Sequence, residues 1–308
     1  MKAYKIMRSQ NIKALHLVIG VLCMLGATQG AKAQLTGFHS GYFQNEYLTN
    51  PAMAGMEKGL NLNLGYQQQW NTVPGGPKLQ NATVDFGAGN NVGLGINLNA
   101  DQAGLLSRTR VMGTFAYHLP ISGDGDKLNF GLSLGITSNH LDYSKIVGDA
   151  SDIQAANYNN RGAYVDGDFG LSYTNKALTL QGSLPNLKSI FSQAEGEDLE
   201  IDRATFFTAA SYKITFDNPY NKLIVEPKVA YRGVKGFDNI FDGGVDLLMP
   251  TNHFDISTVY HTNKTITFGA GLDLPTMGLL FAYTNNTGAV SAYAPNTFEL
   301  GIKFKLFK

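Results

Sequence analysis

From Leu60 to the C-terminus the chain alternates apolar and polar residues at period two, with almost no interruption. Fourteen such segments can be counted, beginning at Leu60, Ala82, Val92, Val111, Leu128, Val165, Leu178, Phe206, Leu223, Val245, Phe254, Ile266, Met277 and Phe298. Period two places alternate side chains on opposite faces of an extended backbone, so each segment predicts a strand with one apolar and one polar face. Turn-forming sequences separate them, including Ser122-Gly123-Asp124-Gly125-Asp126, Thr174-Asn175-Lys176 and Asn285-Asn286-Thr287-Gly288. Two connections are longer, Ser138 to Arg161 and Pro185 to Asp202, the second acidic through Glu195, Glu197, Asp198 and Glu200. Pro227 interrupts the ninth segment and predicts a bulge or a change of register there.

The first residues follow a different logic. Lys2, Lys5, Arg8 and Lys13 precede an apolar run from Ala14 to Ala27, and Ala31-Lys32-Ala33 follows. Basic, apolar, then small-x-small is the order of a secretory signal peptide, which predicts residues 1–33 as a cleaved leader. The run is too short for a membrane helix, which needs about 20 apolar residues. The single cysteine, Cys23, lies inside it and lacks a lipoprotein-type approach. A chain cleaved after Ala33 has no thiol chemistry and no disulfides. Residues 34–57 then form an N-terminal segment ahead of the strands at 58–308.

An exported chain of alternating strands folds as a soluble sandwich or as a membrane barrel. Eight strands make a ring whose inward side chains can fill it, whereas wider rings leave a lumen. Fourteen strands in one ring therefore turn the apolar face outward, toward outer-membrane lipid, and the polar face inward. The polar faces suit that arrangement. They carry Arg108 and Arg110 in the fourth segment, Asp166 and Asp168 in the sixth, Glu226, Lys228 and Arg232 in the ninth, and Asp246 in the tenth. They would also suit the solvent face of a sandwich. Tyr66, Trp70, Tyr117, Tyr173, Tyr212, Tyr231, Tyr260 and Tyr283 fall near segment ends, where aromatic girdles meet the bilayer interface. The expected fold class is all-β: a transmembrane antiparallel β-barrel of about 14 strands with a short N-terminal segment before the first.

The stretch Tyr42-Phe43-Gln44-Asn45-Glu46-Tyr47-Leu48-Thr49-Asn50-Pro51-Ala52-Met53-Ala54-Gly55 is followed by Gln68-Gln69-Trp70, Gly76-Pro77, Asn91-Val92-Gly93-Leu94-Gly95 and Asp101-Gln102-Ala103-Gly104. This series resembles the PorP/SprF family of the type IX secretion system of Bacteroidota. The residues carrying the resemblance are Asn50, Pro51, Ala52, Ala54, Gly55, Gln69, Trp70, Pro77, Asp101 and Gly104. Met53 stands where the family usually has an aromatic residue, and Gln67 or Gln68 where an Arg often precedes the Gln-Trp pair. A later segment, Gly182 to Leu187, matches loosely. The resemblance implies an outer-membrane barrel working with type IX components. Its implied role is the secretion or surface attachment of proteins with a type IX C-terminal signal domain, gliding adhesins among them, and no enzymatic activity. A channel for small or hydrophobic solutes is the alternative.

The residues themselves supply little chemistry. Lys+Arg and Asp+Glu are equal at 24 each, so no basic excess points to nucleic acid. His39, His118, His140, His253 and His261 lack metal-ligand spacing, and no Gly-x-Ser-x-Gly elbow occurs. Gly87-x-Gly89 and Gly269-x-Gly271 lie in strand-period segments with no helix after them, which favours close strand packing over a nucleotide loop. Asp166 and Asp168 are expected to pair with Arg108 or Arg110 rather than to bind calcium. No catalytic residue, cofactor or metal is expected. Pro51 biases Asn50 toward extended backbone, and the segment around it either packs in the lumen or at the periplasmic rim, or forms a mobile tail.

Overall fold

The computed structural model describes residues 41–70, 75–142, 159, 162–191, 204–217, 221–234, 238–288 and 296–307. The expected leader at 1–33 lies outside them, as do most of the two long connections. Among the described residues there are fifteen strands: β1 Leu60–Gln69, β2 Lys78–Gly89, β3 Val92–Ala103, β4 Leu106–Pro120, β5 Lys127–Leu141, β6 Tyr164–Thr174, β7 Leu178–Leu184, β8 Ala204–Tyr212, β9 Ile214–Asp217, β10 Lys222–Val234, β11 Ile240–Met249, β12 Phe254–His261, β13 Thr265–Asp273, β14 Met277–Asn286 and β15 Asn296–Leu306. Neighbours pair antiparallel in chain order, β1 closes on β15, and β10 pairs with β11. Both β8 and β9 pair with β10, so they share one position, and the ring has fourteen.

The break between β8 and β9 lies beside Pro227. Val225 pairs with Ile214 and Lys228 with Ser211, which is one continuous register. Proline has no N–H to donate to the ladder. It interrupts the neighbouring strand at Lys213 without causing a slip, so the expected bulge is instead a gap in pairing.

The two faces of the sheet are opposite in character to those of a soluble core. Outward positions expose large apolar side chains, including Ile96, Phe115, Leu132, Leu134, Val165 and Phe268, each more than half exposed. Inward positions bury polar ones, including Asn61, Thr83, Asn97, Thr114, Asn129, Ser133 and Thr267. A continuous apolar belt of this size is stable only against an apolar medium. Tyrosines mark both borders of the belt. Tyr117, Tyr173 and Tyr212 lie toward the rim that carries Gly59 and Leu306, here the terminal rim, and Tyr66, Tyr231, Tyr260 and Tyr283 toward the far rim. Among the described residues no helix is long and apolar enough to cross a membrane.

Turn chemistry sets the rims apart. At the terminal rim β2 turns into β3 through Asn90 and Asn91, both at positive φ (49° and 63°), as a tight hairpin with the sheet's twist requires. The other connections on this rim are short. Both of the longest, β5 to β6 and β7 to β8, lie at the far rim.

Candidate functional site

A fourteen-position ring leaves space that wall side chains alone do not fill. Residues from Gly41 to Met56 occupy part of it. A short helix, Gly41–Gln44, leads into 3₁₀ turns at Glu46–Leu48 and Pro51–Met53. The local sequence dictates the second turn. Asn50 is extended (φ −135°, ψ 107°), as a residue before proline must be. Its side-chain oxygen accepts from Ala52 N at 3.0 Å, and Pro51 starts the turn, where its missing N–H costs nothing.

The stretch Thr49–Gly55, built around the 3₁₀ turn at Pro51–Met53, makes none of the ladder pairings, yet it lies along the inner wall; we call it the strap. Gly87, Gly93, Ala116, Gly131, Gly170 and Ser183 are direct cross-strand partners, one per strand from β2 to β7. This small-residue row is the floor on which the strap rests. A Cβ at Gly131 would stand 2.2 Å from Ala52 N, at Gly93 2.0 Å from Ala54 O, and at Gly170 2.1 Å from Asn50 Oδ1. At one end Ser183 Oγ donates to Thr49 O (2.6 Å). At the other, Gly55, at φ 70°, donates its N–H to Asp85 (3.0 Å).

Between those ends the wall reads mainly the strap's backbone. His118 Nε2 contacts Ala54 O at 3.0 Å, while its Nδ1 faces Asn129 Oδ1 at 3.0 Å. Asn129 in turn donates to Ser172 and Thr174. The Asn50 amide donates to Leu171 O and to Gln181. Tyr47 donates to Thr114 at 2.8 Å. Tyr47, Met53, Ala54 and Ala116 pack together, with Met56 against them, and Phe43 packs with Phe207, Ala209 and Ala230 in a second apolar cluster. Met53, which departs from the family pattern, is buried there, and its sulfur accepts from Ser172 Oγ. Burial raises the Tyr47 phenol; the Thr114 bond opposes this, and Asp85 and Asp168 add to it.

Upstream of the strap the segment crosses to the opposite wall. Gln44 donates to Asp255 on β12 (3.4 Å), and Lys228 on β10 donates to Phe43 O (3.3 Å). Glu46 lies between, and loss of hydration raises its carboxyl. Lys228 and Lys213 oppose that shift, while Glu226 and Glu57 reinforce it. Lys303 and Glu57 pair at the exit, as do Lys305 and Asp273 nearby.

The candidate charges all point inward, in four separate groups. Arg110 forms a two-bond pair with Asp168 (2.7 and 2.9 Å) and reaches Asp166 at 3.6 Å. The same carboxylates accept Asn186 N and Lys188 N, which fixes the short helix Leu187–Phe191 against β6. Arg108 pairs instead with Asp101 across the β3–β4 turn. Lys228 sits between Glu226 (3.7 Å) and Asp246 (3.5 Å). Arg232 holds Asp242, which also binds His261 at 2.6 Å; His261 continues to Thr267 and Thr284.

The family-motif residues do not converge on one place. Asn50, Pro51, Ala52, Ala54 and Gly55 are strap. Gln69, Trp70, Pro77, Asp101 and Gly104 build a corner at the far rim. There Gly104 N donates to Gly75 O, Gln69 N to Pro77 O, and Trp70 leaves β1 at φ 49° with its N–H on Asn296 O. Asp85, Asn129, Asp242, Asp255, Gly131 and Gly170 are luminal residues that reading the sequence did not single out, and His118, His261, Gly87 and Gly93 were noted there without a luminal role. Each stands on a polar face two residues from another inward position, the one signal available for them.

The profile of the family described as type IX secretion system membrane protein PorP/SprF matches residues 31–304. No curated protein matches the sequence. Among solved structures the chain is similar to the outer membrane protein Omp33 of Acinetobacter baumannii, at 9% identity over 82% of this chain and 100% of that one, with a TM-score of 0.47. It is also similar to the toluene transporter TodX of P. putida, at 10% identity over 85% and 94%, with a TM-score of 0.46.

Proposed function

The chain belongs to the PorP/SprF family of type IX secretion system membrane proteins, and on that premise we propose that it is a non-enzymatic docking barrel of the outer membrane. It serves the secretion or surface attachment of proteins bearing a type IX C-terminal signal domain, gliding adhesins among them. Its partners are outer-membrane lipid, around the apolar belt, and other type IX components. Residues 1–33 are its cleaved leader, residues 34–57 its luminal segment and 58–308 its barrel.

The observation that carries this reading is the strap. A diffusion pore gains nothing from a segment bonded to wall strands from β2 to β12. Short turns of outer-membrane barrels face the periplasm and long loops the outside. That rule puts the strap's attachment at the periplasmic rim, and the connections at 142–163 and 185–203 on the surface where secreted domains arrive. The corner built from Gln69, Trp70, Pro77, Asp101 and Gly104 lies on the same outer rim.

Two measurements test the proposal together. Deletion of the gene is expected to abolish surface display of type IX cargo, read by immunolabelling of intact cells. The purified barrel is expected to conduct poorly in planar bilayers. Robust, reproducible conductance together with normal cargo display after deletion would overturn the docking role in favour of a solute channel.

A further inference from the structure

We propose that the wall between β6 and β8 is a lateral gate from the lumen into the bilayer, and that residues 185–191 are its latch. Four observations lead there.

The ladder is missing at this place. β7 pairs with β6 only from Phe169 to Thr174, and with β8 only from Phe207 to Tyr212. Beyond it, residues 165–168 on one side and 204–206 on the other border a position that no strand fills among the described residues. The sequence stops β7 there. Pro185 has no N–H to extend the ladder, and Asn186 turns the backbone at φ 56°.

Side chains close what the ladder leaves open. An unpaired backbone edge is not tolerated in lipid, so each edge needs a partner. Asp168 accepts the Asn186 N–H at 2.9 Å, and Asp166 accepts the Lys188 N–H at 3.0 Å. The Asn186 amide reaches the other edge and donates to Ala204 O at 2.8 Å. The latch thus spans the seam, tied to β6 and to β8 through side chains.

The β6 edge is provided for when the latch leaves. The Gly167 N–H donates to the carboxylate of its own neighbour, Asp166, at 2.8 Å. Arg110 holds Asp168 with two bonds and reaches Asp166. The groups that the latch covers on β6 therefore keep partners within the wall. The latch itself is lightly held. No residue of the helix Leu187–Phe191 is buried, and Phe191 at its end is 80% exposed. Apolar area left in the open adds nothing to closure.

The two mouths of the seam differ. Leu134, Ile136, Val165 and Phe169 stand exposed on the outer faces of β5 and β6, whereas Ser133, Asp166 and Asp168 are buried on the inner ones. An opening here joins the apolar belt to the polar lumen by a sideways step, and it admits a molecule that partitions into the bilayer.

The test uses the full chain, folded into phosphatidylcholine vesicles. Cys23, its one cysteine, is changed to serine, and Ala209→Cys on β8 supplies a reporter thiol on the inner face. One probe is N-dodecylmaleimide, which arrives through the bilayer; the other is a charged methanethiosulfonate, which arrives through water. Asn186→Gly removes the bond to Ala204 while keeping a positive φ free of strain. It is expected to speed the alkyl reagent about tenfold and the charged reagent by less than about twofold, from the loss of one hydrogen bond and of the side chain that stiffens the turn. Gly182→Ala, lower on β7 with nothing within 4 Å of the added Cβ, is expected to leave both rates as they were. In the unaltered chain the amides of Asn186 and Lys188 should exchange about tenfold or more faster than the ladder amides of β7. An unchanged alkyl rate, equal acceleration of both reagents, or loss of folded gel mobility in Asn186→Gly would each overturn the proposal. So would latch amides protected as well as the ladder. None of these readouts requires type IX cargo, so they stand or fall separately from the docking function.

Discussion

Replacing Gly93 by alanine isolates the strap from the barrel that holds it. The new Cβ would stand 2.0 Å from Ala54 O and 2.9 Å from His118 Nε2. A carbon and an oxygen in contact prefer about 3.3 Å or more, so the Ala54 carbonyl must move by more than an ångström. Overpacking of this kind costs about 1–3 kcal/mol, and the lost bond to His118 adds about 1 kcal/mol. Alanine is favoured over glycine within a strand by roughly 0.5–1 kcal/mol, but that gain belongs to β3, not to the docked strap. Strap release should therefore become easier by roughly 2–4 kcal/mol, about 30- to 1,000-fold in the open population. Hydrogen exchange follows that population directly when closing is fast. The amides to watch are Ala52, bonded to Asn50, and Gly55, bonded to Asp85. They should accelerate by that factor while the ladder amides of β3 and β4 do not. Gly182→Ala is the control, because nothing lies within 4 Å of its would-be Cβ. Unchanged strap exchange in Gly93→Ala, or equal acceleration of strap and ladder, would refute the idea that this contact holds the strap.

Three further outcomes are expected. Arg110→Ala strands Asp166 and Asp168 beside each other in the lumen wall, and breaking a buried pair this way costs about 3–5 kcal/mol. Thermal unfolding in detergent should fall accordingly, and exchange at Asn186 and Lys188 should rise first, because both are held by those carboxylates. Glu46 has a folded pKa raised above its ordinary value, mainly by loss of hydration. A raised carboxyl favours docking fully below the unfolded pKa, and that contribution is lost as pH rises through the folded pKa. Protection of the strap, corrected for intrinsic exchange, should therefore decline with rising pH over that window, and Glu46→Gln should flatten the profile. Deleting residues 41–56 should leave the barrel folded by gel mobility while raising its bilayer conductance well above that of the full chain.

Most of the fold was legible because a membrane barrel writes one instruction repeatedly. Period two says which residues share a face, and each of the fourteen expected segments became a strand position. Even the weakest, at Leu178 and Leu180, became β7, which runs on to Leu184 through Gln181, Gly182 and Ser183, residues too small or polar to register as an apolar face. The direction of the faces followed from ring size alone, since fourteen positions enclose more space than leucine and phenylalanine can fill. Pro227 was visible as a fault, but not its kind. Whether a missing N–H produces a bulge or only a gap depends on the neighbouring strand, and Lys213 gives no local sign of it.

The site was legible in its parts and not in its assembly, and the reason is geometric. Asn50-Pro51 announces a turn from local sterics, but nothing local places that turn against Gly131 and Gly170, which are some eighty to one hundred and twenty positions away in the chain. The glycine row exists only in register. Gly87, Gly93, Ala116, Gly131, Gly170 and Ser183 are ordinary small residues in six separate strands until five antiparallel pairings align them. The same holds for charge. Arg110 could have paired with any inward carboxylate, and β5, which separates β4 from β6, supplies none to intercept it: its inward positions carry Asn129, Gly131, Ser133, Gly135 and Thr137. Arg110 therefore reaches past that strand to Asp168, whereas Arg108 meets Asp101 on the adjacent β3 before it can. The sorting of the two arginines is thus a consequence of which strand lies beside which. It predicts that Ser133→Asp, on the intervening strand opposite Asp168, would draw Arg110 away and loosen the helix at Leu187–Phe191. A crystal structure of that variant with the Arg110–Asp168 pair intact would show that proximity in the ring does not decide the pairing.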